Sequence, residues 1–270
     1  MTSVKPKILL TNDDGIRSNG LIQLYHELAK FADVTIITPH VQRSGESKAI
    51  TINQIIRVET VDVTNSKKGY IINGTAADCV IFGLHALEER PFDLVVSGIN
   101  QGLNISSHII LTSGTCAAAL EASFYDVPAI ALSMNVMQSH YFVSPSKETF
   151  TNVAKSAAKI VKKLIRKSFP KGLAFINVNF PFETTEETPI EIATIFNKFL
   201  DFKPELRKDP RNNDYYFFWG EPTFNAPKGS DVEVIGRGCI SLSPASNDLN
   251  TTKESNLISF LLHLIKKENK

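Results

Sequence analysis

Apolar positions along this chain follow two alternating rhythms. Ile8, Leu9 and Leu10 form a short continuous apolar run behind Lys7 that breaks into Thr11, Asn12, Asp13, Asp14 and Gly15. That pattern predicts a buried strand ending in a polar turn. Leu21, Leu24, Tyr25, Leu28 and Phe31 then recur at helical spacing behind a cap at Ser18 or Asn19, and residues 34–38 read as a second buried strand. Strand, helix and strand within about thirty residues make a βαβ unit, whose crossover is right-handed and builds a parallel sheet. The alternation continues with a helix over 74–87, a strand over 93–97, a helix over 116–122 and a strand over 129–133. Ser144 and Pro145 open a further helix, with Phe150, Val153, Ala154, Ala157, Val161, Leu164 and Ile165 on one face, before a strand over 173–178. Residues 50–72 are β-rich with a break at 65–69, which predicts a hairpin. The fold class expected is α/β, with a core over 1–181.

Beyond Pro181 the rhythm is lost. Residues 182–250 combine a Glu/Thr-rich stretch, charged segments and the aromatic run Tyr215, Tyr216, Phe217, Phe218 and Trp219. This part is too aromatic for a free tail and reads as an extended β-rich arm that packs on its own core or on another subunit. Within it, 232–235 and 239–242 are predicted as strands. Leu257, Ile258, Leu261, Leu264 and Ile265 predict a helix over 251–270 that packs on the core or on a partner.

Composition narrows the function classes. The 270 residues are 43% hydrophobic and 21% charged, as expected of a folded globular chain. A formal net charge of +1 provides no global field for nucleic acid or for an anionic membrane. Cys79, Cys116 and Cys239 are widely spaced and odd in number, which argues against a disulfide framework and against a Cys-x-x-Cys metal site. With no apolar leader before the first strand and no run long enough to span a bilayer, the expectation is a cytoplasmic protein.

Candidate chemistry collects at the ends of the strands, the edge where open parallel sheets bind ligands. Adjacent Asp13 and Asp14 repel, and a hard divalent cation is the simplest way to keep both ionised; the plainer reading is a polar turn. No Gly-x-Gly-x-x-Gly follows the first strand, so the dinucleotide fingerprint is absent. The loop after the second strand emerges at the same edge, where the Ser44 hydroxyl either faces the carboxylates or, on the plainer reading, is only solvated. Asn100 and Asn104, in Gly98-Ile99-Asn100-Gln101-Gly102-Leu103-Asn104, offer a neutral oxygen to a metal and an amide donor to an oxyanion. Ser113, Gly114 and Thr115 open a helix in the manner of a phosphate site, or of an ordinary cap. His108 has a ring suited to protonating a leaving alkoxide.

Taken together, Thr11–Gly15, Arg43-Ser44-Gly45, Gly74-Thr75-Ala76-Ala77-Asp78, Ser97 through Asn104, and Ser113-Gly114-Thr115 resemble the SurE family in order and spacing. Residues 177–181, 219–220 and 230–232 resemble further landmarks of that family. The resemblance implies a Rossmann-like core with an extended C-terminal region used for subunit exchange, in a homodimer or homotetramer. It implies one divalent metal ion per subunit, Mn²⁺ or Mg²⁺, held by Asp13, Asp14, Ser44 and Asn100. It further implies hydrolysis of nucleoside 5'- and 3'-monophosphates, with polyphosphate ends as an additional substrate, and no nucleic-acid polymer or membrane as partner. Combined with the strand-end reading, it makes Asn104, Ser113, Gly114 and Thr115 the expected phosphate-binding residues and Asp13, Asp14 and Asn104 expected catalytic ones, with His108 added as a catalytic candidate on its own chemistry and not from the resemblance. Two features depart from the family pattern: Ala76 stands where proline is usual, and residues 105–112 lack the usual Gly-Asp pair and tyrosine. The rival readings are a receiver-like phosphate-accepting module and a nucleotide-binding protein without catalysis.

Overall fold

Lys7–Thr11 forms β1, and Ile8, Leu9 and Leu10 are wholly buried. Three consecutive buried residues place side chains on both faces of a sheet, which is the signature of an interior strand. The computed structural model describes residues 4–136, 147–222 and 225–250. After β1 come α1 (Asn19–Leu28) and β2 (Asp33–Pro39). The Ser18 hydroxyl caps α1 by accepting from Leu21 N at 3.2 Å, so Ser18 and not Asn19 is the cap.

The expected hairpin forms as β3 (Val58–Thr64) and β4 (Lys67–Ile72), while residues 50–57 stay irregular. Next come α2 (Ala76–His85), β5 (Leu94–Gln101), α3 (Ser106–Thr112), α4 (Gly114–Ser123), β6 (Ala129–Met134), α5 (Lys147–Leu164) and β7 (Phe175–Phe180). The chain continues through β8 (Ile190–Ile192), the antiparallel pair β9 (Leu200–Lys208) and β10 (Asp214–Pro222), α6 (Asp231–Gly236) and β11 (Ile240–Ala245).

The main sheet has nine strands in the order β3-β4-β2-β1-β5-β6-β7-β11-β8. From β4 to β7 every pairing is parallel, while β3 and β11 run antiparallel to their neighbours β4 and β7. One face is covered by α1 and α5 and the other by α2 and α4, giving two apolar layers around the sheet. Strand order reverses at β1, with β2 on one side and β5 on the other. The turn after β1 therefore opens into a crevice between diverging connections.

Two expectations change. Residues 232–235 form the helix α6 and not a strand, because Ser230 accepts from Glu233 N at 3.4 Å and Asp231 and Glu233 lie in its first turn. Cap and dipole outweigh the β-preference of its valines and isoleucine. The sheet also extends past residue 181: β11 lies along β7 and carries β8 on its outer side. The strand expected over 239–242 forms as β11; its polar Ser241 and Ser243 are both fully buried, and nothing in its pattern marks β7 as its partner. The helix start at Ser144-Pro145 and the helix expected over 251–270 lie outside the described residues. No described helix is long and apolar enough to cross a membrane.

Candidate active site

Asn12 shapes the turn that carries the two carboxylates. Its Oδ1 accepts from Gly15 N at 3.1 Å, and its Nδ2 donates to Gly15 O at 3.1 Å and to Ser18 Oγ at 2.8 Å. Gly15, at φ +92°, supplies the left-handed residue that closes the turn. One asparagine thus joins the end of β1 to the cap of α1.

Asp13 is 3% exposed and is held from three sides. Thr115 Oγ1 donates to its Oδ1, and Arg43 N donates to its carbonyl at 2.8 Å. Gly114 stands against it: a Cβ there would lie 2.8 Å from Asp13 Cβ and 2.9 Å from Oδ2. Burial raises the Asp13 carboxyl above its ordinary pKa, opposed by the Thr115 hydroxyl. Burial also pushes Asp14 up to about 7, with the Asp13 charge adding to it; the Gln101 backbone amide and the Gln42 side chain pull the other way. Among the described residues no lysine or arginine forms an ion pair with either carboxylate.

Ser44 comes from the loop after β2 and is exposed, its Oγ accepting from Gln42 Nε2 at 3.0 Å. The same Nε2 donates to Asp14 Oδ1 at 3.2 Å. Asn100 follows an irregularity in β5 between Ser97 and Asn100. There Gly98 takes φ +132°, and a Cβ on it would sit 2.3 Å from Leu132 O. Such a bulge re-aims the residues that follow. Asn100 Nδ2 donates to Gly102 O at 2.8 Å, so its carbonyl oxygen is the group it has to offer a cation.

The helix start behaves as both of its sequence readings at once. Ser113 Oγ caps α4, accepting from Cys116 N at 3.1 Å, while the first-turn amides of Gly114 and Thr115 have no carbonyl one turn back inside the helix. Thr115 thus spends its hydroxyl hydrogen on Asp13, while Ser113, which accepts at its oxygen, keeps its own hydroxyl hydrogen to offer beside the backbone amides. Asn104 is 4% exposed in a polar cluster. Its N donates to Asn179 Oδ1 at 2.8 Å, its O accepts from Asn177 Nδ2 at 2.7 Å, and its Nδ2 donates to Ser133 Oγ at 2.8 Å. The second hydrogen of that amide is the one left for an oxyanion.

His108 is placed differently. On α3, its ring meets Phe202 edge-on at 5.7 Å, and its backbone N donates to Asn197 O at 3.1 Å. Among the described residues no hydrogen bond joins it to Asp13, Asp14, Ser113 or Thr115. These contacts tie His108 to the root of the β9–β10 pair and lend no support to the proton transfer expected of it. Gln42 and the Gln101 amide escape sequence reasoning, because the direction of a loop side chain has no periodic signal. The described cysteines are free and buried; burial pushes Cys116 up to about 12, far from a nucleophilic thiolate.

A cleft of about 530 Å³ lies at the opposite edge of the sheet, where Asp93, Pro128 and Ala174 precede their strands. It contains none of the residues assembled above. The candidate residues assembled above lie instead at the carboxyl ends of the strands, the edge where open parallel sheets bind ligands.

Comparison with known proteins places the chain in a family. The family model described as "Survival protein SurE" matches residues 8–200. The chain is 38% identical over 248 residues to the 5'-nucleotidase SurE of Methanosarcina acetivorans, covering 90% of this chain and 92% of that protein. It is 35% identical over 252 residues to the 5'-nucleotidase SurE of Archaeoglobus fulgidus, covering 93% and 95%. The crystal structure of the SurE protein from Aquifex aeolicus superposes with a TM-score of 0.78 at 29% identity, over 95% of this chain and 99% of that one. With the family model spanning most of its length and relatives 35–38% identical over nearly all of it, this chain belongs to the SurE family.

Proposed function

We infer that the protein is a metal-dependent phosphomonoesterase that hydrolyses nucleoside 5'-monophosphates, and 3'-monophosphates and polyphosphate ends as further substrates. The observation that carries the reading is Asp13, buried beside Asp14 and bonded to Thr115 in the first turn of α4. It sets a carboxylate pair against a helix start. The relatives named as 5'-nucleotidases supply the substrate class.

The residues fit a hard cation. Among the described residues no group of three or more His, Cys, Asp and Glu is arranged for a metal. The donors here are two carboxylates with the neutral oxygens of Ser44 and Asn100, an all-oxygen set of the kind Mg²⁺ and Mn²⁺ take. Burial raises both acids, the Asp13 charge raises Asp14 further, and among the described residues no lysine or arginine pairs with either. That uncompensated charge is what a divalent ion would relieve. We assign Asp13, Asp14, Ser44 and Asn100 as its holders, with one Mn²⁺ or Mg²⁺ per subunit.

When bound, the ion supplies Lewis-acid polarisation of the phosphoryl group and a water acidic enough to attack at neutral pH. The amides of Gly114 and Thr115, at the positive end of α4, hold phosphate oxygens and stabilise the charge they carry in the transition state. Asn104 adds its remaining amide hydrogen. Thr115 fixes the rotamer of Asp13, which orients the incoming water. Water adds to phosphorus, the ester P–O bond breaks, and the departing alkoxide takes its proton from solvent. His108 receives no part in this scheme.

The β9–β10 pair supports assembly as a homodimer or homotetramer. Phe202, Leu206, Tyr216 and Phe218 fall on one face in the antiparallel register and are 46%, 52%, 65% and 71% exposed. A contiguous apolar face of this kind marks an interaction surface.

The decisive assay is phosphate release from a panel of nucleoside monophosphates, using EDTA-stripped protein and protein resupplied with Mn²⁺ or Mg²⁺. Metal-dependent turnover by wild type and its loss in Asp13→Asn are expected. Stoichiometric phosphate retained on an aspartate would favour the receiver reading, and saturable binding with no release would favour a binding protein.

A further inference from the structure

Asp14 and Ser44 arrive at the crevice on separate loops, one after β1 and one after β2, and no hydrogen bond joins them directly. We propose that Gln42 is a positioning residue of the cation site, its carboxamide tying the Asp14 carboxylate to the Ser44 hydroxyl so that both are presented together. This rests on the cation reading given under Proposed function.

The geometry is specific. One primary amide nitrogen has two hydrogens, and Nε2 lies 3.2 Å from Asp14 Oδ1 and 3.0 Å from Ser44 Oγ, one hydrogen for each. Loop backbone sets the side chain there: the next residue, Arg43, donates its N–H to the Asp13 carbonyl at 2.8 Å and so pins residue 42 over the acidic turn. Among the described residues Gln42 is the only group bonded to the Ser44 hydroxyl. Gly45, which follows at φ +77°, has nothing within 4 Å of where a Cβ would be, so packing does not fix this part of the loop.

The bridge is compatible with a bound ion. Each acceptor keeps lone pairs for a cation: a carboxylate oxygen has a second lone pair and a neighbouring oxygen, and a hydroxyl oxygen has two. A donor aimed at ligand atoms from outside is how metal sites fix ligand orientation, and removing one costs roughly 10–100-fold in affinity or activity. Because Gln42 is exposed, the lower end of that range applies. The plainer alternative is a surface glutamine satisfying its own hydrogens on whatever lies near, and it predicts no change in cation binding when the amide is removed.

The test is Mn²⁺ titration of EDTA-stripped protein by calorimetry, comparing wild type with Gln42→Met, which keeps the length and loses both donors, and with Gln42→Ala. We expect each variant to bind Mn²⁺ about tenfold more weakly, with the metal-free melting temperature unchanged. At saturating Mn²⁺ kcat and the nucleotide KM should return to near wild type, since the loss is one of ion affinity. Binding within twofold of wild type in both variants would overturn the proposal. Wild type that binds Mn²⁺, loses affinity on substitution and releases no phosphate would uphold Gln42 while defeating the phosphatase reading; wild type that binds no Mn²⁺ would overturn both.

Discussion

Asp13 and Gly114 constrain each other: the carboxylate occupies the volume a side chain at 114 would need. Gly114→Ala should therefore displace the carboxylate and reduce kcat/KM by about 100-fold, the scale of a misplacement near 1 Å, with the fold retained in circular dichroism. The raised acids also make a pH prediction. A carboxyl at about 7 in the folded metal-free protein, against an ordinary value of 3.8, binds its proton more tightly folded than unfolded. Its contribution to stability is fully present below about pH 4 and is lost as pH rises through 7. Urea denaturation of EDTA-stripped protein should show stability falling from pH 5 to pH 8, and Asp14→Asn should flatten that slope; an unchanged slope would remove Asp14 as its source. At this scale the acids, Asn100 and the helix start were legible because residue type and strand-end position both pointed to them. Gln42 was not, and neither was the Ser133–Asn104 contact, which depends on residues distant in sequence meeting across strand ends.

Among the elements, the short helix α3 depends on a residue far away in the sequence. It starts at Ser106 with φ +68°, a conformation that favours glycine, and its hydroxyl is buried with no partner. Asp231, at the start of α6, holds it in place, accepting from Ser106 N at 2.8 Å and from Phe196 N at 3.0 Å. Ser106→Gly should relieve both the backbone strain and the unpaired hydroxyl and raise stability by about 1 kcal/mol, seen as a higher denaturation midpoint. Asp231→Ala should do the reverse, costing about 3 kcal/mol by stranding buried amides, and protease cutting near 106 and 196 should quicken before global unfolding. The cap and first-turn acids that make 231–236 helical are local, but the place of this helix is not: Asp231 binds partners 35 and 125 residues away, beyond the reach of any local window. Strands with unbroken apolar runs, by contrast, were readable because burial on both faces leaves no alternation to decode.

For the molecule as a whole, the βαβ order and its parallel sheet could be read from periodicity, and so could β11 as a strand, whereas the three-residue β8 and the pairing of β11 with β7 could not, since a strand's partner leaves no local signal. The apolar face of β9–β10 belongs to this scale as well. Leu206→Glu combined with Phe218→Glu should lower the sedimentation coefficient toward that of a single chain while leaving the secondary structure intact; an unchanged coefficient would mean that assembly, if any, uses another surface. The pairing of β7 with β11 has a consequence for how the chain is made. At the moment residue 181 leaves a ribosome, the strand that will sit inside the sheet has its hydrogen-bonding edge bare, and roughly sixty more residues must emerge before the partner arrives. Premature termination or a proteolytic nick in that interval would thus yield a sticky fragment instead of a smaller working enzyme, and the nascent chain carries that bare edge until β11 is in place.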